Sequence, residues 1–204
     1  MSVKERRARE KEELRQEILV AARDLFAKEG YENVTMRKIA EKIDYSPTTI
    51  YLYFQDKDDL CRAICEETSA KLVKQFEGIL AAARDPIEQL RGVGRAYVQF
   101  GLSHPNHYKV TFMGYGLTRH NEDEEVDFHG SMSGKCFLLL RTIVENCVRQ
   151  GRIRPVDVDS TSQALWAAVH GITSLLITYP DFPWVDKDGL VDQVIEVMVE
   201  GLKG

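Results

Sequence analysis

The stretch GYENVTMRKIAEKIDYSPTTIYLYFQDKDDL occupies residues 30–60, and its second half has an unusual make-up for a helix. Two threonines (Thr48, Thr49), two tyrosines (Tyr51, Tyr53) and Lys57 fall within about three helical turns. A core helix would carry leucine at these positions, and a solvated one would carry Glu and Lys. Ser46 suits an N-cap and Pro47 the first helical position, where a missing N–H costs nothing. The spacing predicts one short helix over about Thr35 to Ile43, capped by Thr35, with Ile39, Ala40 and Ile43 on one face. A second short helix follows over about Pro47 to Phe54 and is interrupted by Gln55-Asp56. Asp44-Tyr45 marks the break between the two.

Two short helices joined by a tight connection form a helix-turn-helix, whose second helix places its first residues against base edges in the major groove. The groove face of such a helix needs small hydroxyls that approach base edges or a thymine methyl, and Thr48 and Thr49 meet that need. Phosphates are held by donors with reach, here Tyr51, Tyr53 and Lys57. Arg37, in the first turn of the first helix, can reach a phosphate or a guanine. Ile50 and Phe54, four residues apart, would seat the second helix on its neighbours.

The rest of the chain reads as helix as well. Leu14, Ile18, Ala21, Ala22, Leu25 and Phe26 recur at helical spacing, and Gly30 closes that run. Asp56 can open a long helix towards Leu80, and Asp85-Pro86 opens another through Tyr97 and Phe100 that His104-Pro105 stops. Further helices are expected over Phe137 to Val148, from Asp159 or Ser160 to Pro180, and over about Asp186 to Leu202. The acidic stretch NEDEEVD reads as a loop. No segment alternates at period two long enough for a strand, so the expected fold is all-α.

With 204 residues, 44% of them hydrophobic, the chain can bury a substantial core, as one domain or as a small domain fused to a larger one. It contains no apolar run of 18 residues, and its first 30 residues are too charged for a signal peptide, so a cytoplasmic protein without membrane association is expected. The net charge of −5 excludes a uniformly basic nucleic-acid binder, but it is unevenly spread. Residues 1–57 hold 12 basic against 11 acidic side chains, and residues 58–204 hold 15 against 21. The leader KERRARE reads equally as an arm for the minor groove or as the solvated start of the first helix.

Residues 30–60 resemble the DNA-binding domain of the TetR family of bacterial transcriptional regulators. Gly30, Tyr31, Thr35, Arg37, Ile39, Ala40, Ser46, Thr49, Ile50, Tyr51, Tyr53, Phe54, Lys57 and Leu60 fall into the family's register. Asp44-Tyr45 replaces the Gly-Val usual in the turn, and Asp tolerates left-handed backbone better than most residues. Thr48 stands where Gly or Ala is frequent. The resemblance implies Thr35 and Arg37 at the DNA edge, Pro47, Thr48 and Thr49 at the bases, and Tyr51, Tyr53 and Lys57 on the backbone. It further implies a reader over residues 1–57 and an effector-binding, dimerisation domain over residues 58–204. Such a protein is a homodimer on a palindromic operator of double-stranded DNA, usually a repressor released by a small molecule. Activators use the same reader.

Trp166, His170 and Gly171 form Trp-x-x-x-His-Gly, similar to a subclass of TetR effector domains named for that signature, and His104-Pro105 with Tyr108 resembles an upstream segment of the same subclass. An aromatic pocket for a small, mostly apolar ligand would draw on Tyr97, Phe100, His104, Tyr108, Phe112, Phe137, Trp166 and His170. Aromatics at this spacing equally suit plain core. The aliphatic last two helices are the expected dimer interface.

Other chemistries have less support. His104, His107, His120, His129 and His170, with acidic residues 122–125, show no tight zinc spacing, and neither metal nor cofactor is expected. Cys61 and Cys65 share a helix face and offer a thiol signal as an alternative to an organic effector. A Gly-rich phosphate loop, a nucleophile elbow and a recognisable carboxylate pair are all missing, so an enzyme is not expected.

Overall fold

In the computed structural model, which describes residues 2–113 and 130–203, the connection between the two short helices is a complete helix stop. Helix α2 spans Met36–Lys42 and α3 spans Pro47–Tyr51. Asp44 takes a positive φ of 58°, the only non-glycine residue to do so among those described. The Asp44 N–H bonds to the Glu41 carbonyl and the Tyr45 N–H to the Ala40 carbonyl. These are the paired bonds of a Schellman ending, which satisfy carbonyls that the last turn of α2 leaves open. Thr35 caps α2 by accepting from the Lys38 N–H, and Ser46 caps α3 by accepting from the Thr49 N–H. α3 ends earlier than the spacing predicts. Leu52 to Phe54 continue as a turn in which the Tyr53 and Phe54 amides both bond to the Ile50 carbonyl.

The remaining helices are α1 (Val3–Glu29), α4 (Lys57–Ala82), α5 (Pro86–Ser103), α6 (Pro105–Phe112), α7 (Met132–Arg149), α8 (Val158–Thr178) and α9 (Lys187–Leu202). A 3-10 turn, Tyr31–Asn33, follows α1. The described residues contain no strand. The KERRARE leader is helix, capped by Ser2, with exposed Arg6–Glu10 and Arg9–Glu13 pairs one turn apart. Each such pair contributes about 0.3–0.5 kcal/mol. His104-Pro105 is a junction between helices, because Pro105 opens α6 instead of leading into a loop. Asp157 caps α8, two residues before the expected start. The NEDEEVD stretch, His120 and His129 lie outside the described residues.

The helices divide into two compact units. The first holds α1 to α3, α4 as far as Thr68, and α6 from Asn106. Its core joins Ile18, Ala22 and Phe26 of α1, Ile39 and Ala40 of α2, Ile50 of α3, Leu60 and Ile64 of α4, and Val110 of α6. Ile50 is fully buried, and removing such a side chain from water contributes about 1.5–3 kcal/mol. That single residue anchors a helix too short to persist alone.

The second unit holds α4 from Ser69, α5 and α7 to α9. α5 packs against α7, α8 and α9. Val98, Ile143, Val144, Ile195 and Val199 are at most 1–2% exposed at its centre. At Gly94 an added Cβ would lie 3.4 Å from Ile195 Cδ1, so α5 and α9 approach closely there. Arg91 of α5 grips Glu196 of α9 with two parallel 2.8 Å bonds and also reaches Glu88. The Glu196 carboxylate pushes Arg91 further into its charged range, and Arg91 in return holds Glu196 below the usual carboxylate range.

Candidate nucleic-acid interface and effector residues

The exposed edge of the first unit is formed by the start of α2 and by α3. Thr35, Arg37, Pro47, Thr48 and Tyr51 are exposed, while Thr49, Tyr53 and Lys57 are half-buried. The caps hold this edge in place. Thr35 Oγ1 accepts from Lys38, which leaves its proton available. Thr49 Oγ1 lies 2.9 Å from Ser46 Oγ, so the two hydroxyls orient each other. Thr48, between them in sequence, is exposed. Arg37 bonds Glu41 one turn on at 2.8 Å, and its side chain stays 80% exposed. An exposed i,i+4 pair of this kind is worth only a few tenths of a kcal/mol, so a phosphate can compete for the guanidinium.

Tyr53 and Lys57 are tied into the fold. Tyr53 packs on the core of the first unit, with Lys11 Nζ 6.0 Å from its ring centre. Lys57 Nζ donates to the carbonyls of Tyr31 (2.8 Å) and Val34 (3.1 Å) and lies 4.0 Å from the Tyr31 ring centre. The Tyr31 hydroxyl donates to Asp58. Lys57 thus clamps the α1–α2 connection to the start of α4. Sequence spacing does not show this role, since the carbonyls lie 26 and 23 residues away.

In the second unit, four of the expected effector residues meet. The Trp166 indole N–H donates to Tyr97 Oη (3.2 Å), and Tyr97 Oη lies 3.2 Å from His170 Nδ1. His170 Nε2 in turn faces Ser174 Oγ at 3.3 Å, so the imidazole tautomer sets which partner donates at each ring nitrogen. Burial holds His170 below the usual histidine range, which favours the neutral imidazole. Phe137 packs edge-on to Trp166, with ring centres 6.1 Å apart. Ser174 carries no sequence signal of its own beyond its place four residues after His170 on α8, which puts it on the same face. Phe100 and His104 of the same unit are also in ring contact, at 5.1 Å.

Tyr108 and Phe112 belong to the first unit, their rings 5.2 Å apart. In the same unit His107 Nε2 accepts from Arg23 (2.7 Å), and its Nδ1 faces Thr68 Oγ1 (2.9 Å). Among the described residues no group of three or more His, Cys, Asp or Glu could hold a metal ion, and no helix is long and apolar enough to cross a membrane.

Residues 18–64 match the family model described as bacterial regulatory proteins, tetR family, and residues 90–202 match that described as tetracyclin repressor-like, C-terminal domain. The chain belongs to the TetR family. The HTH-type transcriptional repressor AcnR of Corynebacterium diphtheriae is 37% identical over 73 residues, which is 35% of this chain and 38% of that protein. The match therefore spans well under half of this curated relative. Two solved structures share the fold over nearly the whole chain. PfmR of Thermus thermophilus, a TetR family transcriptional regulator, superposes with a TM-score of 0.73 at 22% identity, over 92% of this chain and 96% of its own. FadR of Bacillus subtilis, solved in complex with stearoyl-CoA, gives 0.76 at 21% identity, over 91% and 98%.

Proposed function

We propose that this chain is a homodimeric, DNA-binding transcriptional regulator of the cytoplasm, a repressor that leaves a palindromic operator when a small, mostly apolar ligand binds. Residues 1–57 serve as the reader, and residues 58–204 bind the effector and dimerise. The observation that carries the reading is the capped edge of α2 and α3, where Thr35, Arg37, Pro47, Thr48 and Tyr51 are exposed over a cored support. Pro47, Thr48 and Thr49 face bases, while Arg37, Tyr51 and Tyr53 hold phosphates.

Apolar side chains exposed along α8, the segment after it and α9 support dimerisation through the last two helices. They include Leu175, Tyr179, Phe182, Val185 and Val197. Two readers in a symmetric dimer must meet successive turns of DNA about 34 Å apart, and an effector acts by favouring a separation that does not fit. The Trp166–Tyr97–His170 chain, set in the Trp-x-x-x-His-Gly signature, supplies the polar handle for an otherwise apolar ligand. A fold relative holding stearoyl-CoA makes acyl thioesters the first class to screen.

Fluorescence anisotropy on the DNA flanking the chain's own gene, run across salt against unrelated DNA, tests the proposal. Specific affinity should fall steeply with salt. Thr49→Val should change which sequence is preferred, by about 1–3 kcal/mol at one position. Equal losses on operator and random DNA would refute the base-reading role.

A further inference from the structure

Helix α1 changes character along its length. In its second half, the side that packs on the first unit's core is apolar, through Leu14, Ile18, Ala22 and Phe26. At about 3.6 residues per turn, the same side of its first half carries Lys4, Arg7 and Lys11, with Arg15 at the join. These four fall within an arc of about 80°. The acidic residues of the segment, Glu5, Glu10, Glu12, Glu13 and Glu17, all fall outside that arc.

The two sides also differ in how their charges are used. Away from the arc, Arg6 pairs with Glu10 and Arg9 with Glu13. Among the described residues Lys4, Arg7 and Lys11 pair with no carboxylate, and all three are exposed. Helix stability does not account for this row. The start of a helix favours acidic side chains, yet Lys4 stands in the first turn and Arg7 just after it, behind a capping box already completed by Ser2 and Glu5. Like charges three and four residues apart also repel one another.

The row leads directly to the edge proposed to face DNA. Lys11 Nζ lies 6.0 Å from the Tyr53 ring centre, and the Arg15 guanidinium lies 5.4 Å from that of Phe54. Both rings belong to the turn that follows α3. Besides the cations, this side holds only Ala8 between Lys4 and Lys11. It therefore lacks the apolar face that a membrane-surface helix requires. A helix about 10–12 Å across does not enter a minor groove about 6 Å wide, so the leader is not an arm for that groove.

We propose that Lys4, Arg7 and Lys11 form a phosphate track, which holds the DNA backbone beside the bases assigned to α3. The track rests on the DNA-binding reading above and adds a surface to it. The three cations occupy about 10 Å of helix axis, at about 1.5 Å per residue. A DNA strand offers a phosphate about every 3.4 Å of its own axis, so each cation can meet a phosphate of its own. Contacts of this kind position the protein and carry no sequence information. The track therefore strengthens binding to every duplex alike.

The test uses the full chain and fluorescence anisotropy, on the DNA flanking its own gene and on random duplex of equal length, from about 50 to 200 mM salt. Each phosphate contact adds about 0.9 to the slope of log affinity against log salt. Lys4→Gln, Arg7→Gln and Lys11→Gln combined should therefore lower the slope by about 2.7 on both duplexes. Over this range of salt the wild type should lose about 40-fold more affinity than the triple variant. Arg6→Gln with Arg9→Gln, on the opposite side, should leave the slope unchanged. Circular dichroism reports whether each variant keeps its helix. Should the triple variant unfold, Lys4→Gln and Arg7→Gln singly, each lowering the slope by about 0.9, carry the comparison. An unchanged slope in a folded triple variant overturns the track and leaves the reader of α3 standing. An equal change per charge from the two sides overturns it too, because net charge alone then explains the effect. Binding of the row to anionic lipid vesicles, with the slope on DNA unchanged, would overturn it in favour of a membrane surface. A wild type that binds neither duplex removes the regulator reading and the track together, an outcome distinct from all of these.

Discussion

Replacing Lys57 by Met separates a DNA-contacting lysine from one that holds the fold. The ammonium donates to two backbone carbonyls, at 2.8 and 3.1 Å, and rests on the Tyr31 ring. A hydrogen bond to a charged group contributes about 1.5–3 kcal/mol, and a cation–π contact about 0.5–1 kcal/mol at a partly exposed site. These terms do not add, because one ammonium makes all three contacts and water can reach a half-buried site. The Tyr31 carbonyl also keeps its bond from the Val34 N–H. Met retains most of the aliphatic stem, so the net loss should be about 2–3 kcal/mol. For a chain of this length that lowers the melting temperature by about 5–10 °C. Urea unfolding measures the loss directly, and the salt dependence of operator binding, taken well below the transition, measures the other role. A lysine that neutralises a phosphate lowers the slope of log affinity against log salt by about one when removed. The expected result is a clear loss of stability with an unchanged slope. A loss below about 0.5 kcal/mol, with the slope reduced by one, would refute the clamp and return Lys57 to the DNA backbone.

Asp44→Val should cost about 1–2 kcal/mol in urea unfolding, because a β-branched residue is strained at a φ of 58°. Asp44→Gly should stay within about 1 kcal/mol of the native chain, and equal effects of the two changes would remove strain as the cause. His170 gives a pH signature. Burial lowers its folded pKa, so below the unfolded value of about 6.5 the unfolded chain binds a proton that the folded chain refuses. Stability is full above that pH and declines as pH falls towards the folded pKa, whereas the lowered Glu29 and Glu196 act only in the carboxylate range. His170→Asn should flatten melting temperature against pH in this window. A profile unchanged by the substitution would show that the imidazole does not titrate in the way its burial requires.

What the sequence showed of the fold was what neighbours along the chain determine. Caps at Thr35, Ser46 and Asp85, proline at the first position of α3 and α5, and the left-handed Asp44 all act within five residues, and each is found where the residues place it. His104-Pro105 shows the limit of such reading. A proline stops the helix before it and equally starts the one after it, and only packing decides whether the second helix forms. Here Tyr108 and Val110 are fully buried, which commits the segment to α6. The candidate site divides in the same way. The exposed hydroxyls of α3 follow from its periodicity, while the Trp166–Tyr97 bond joins residues 69 apart and the Lys57 clamp joins residues 26 apart.

The same division bears on how substitutions at the reader are interpreted. Thr35 and Thr49 stand at the edge proposed to face DNA, and both also serve the backbone: Thr35 Oγ1 closes the first turn of α2, and Thr49 Oγ1 bonds the hydroxyl that caps α3. A hydroxyl has one proton and two lone pairs, so capping through a lone pair leaves the proton free for a base or phosphate. Removing either hydroxyl therefore disturbs helix geometry along with any proposed contact to DNA, and a fall in affinity alone does not assign it to the bases. Thr48 is the cleaner position, since it sits on α3 between two residues that carry the capping bonds and is itself exposed. A five-residue helix held by Ser46 at one end and Ile50 in the core has little stability of its own. The face proposed to read DNA is only as well defined as those two anchors, which would tie its sequence preference to the packing beneath it.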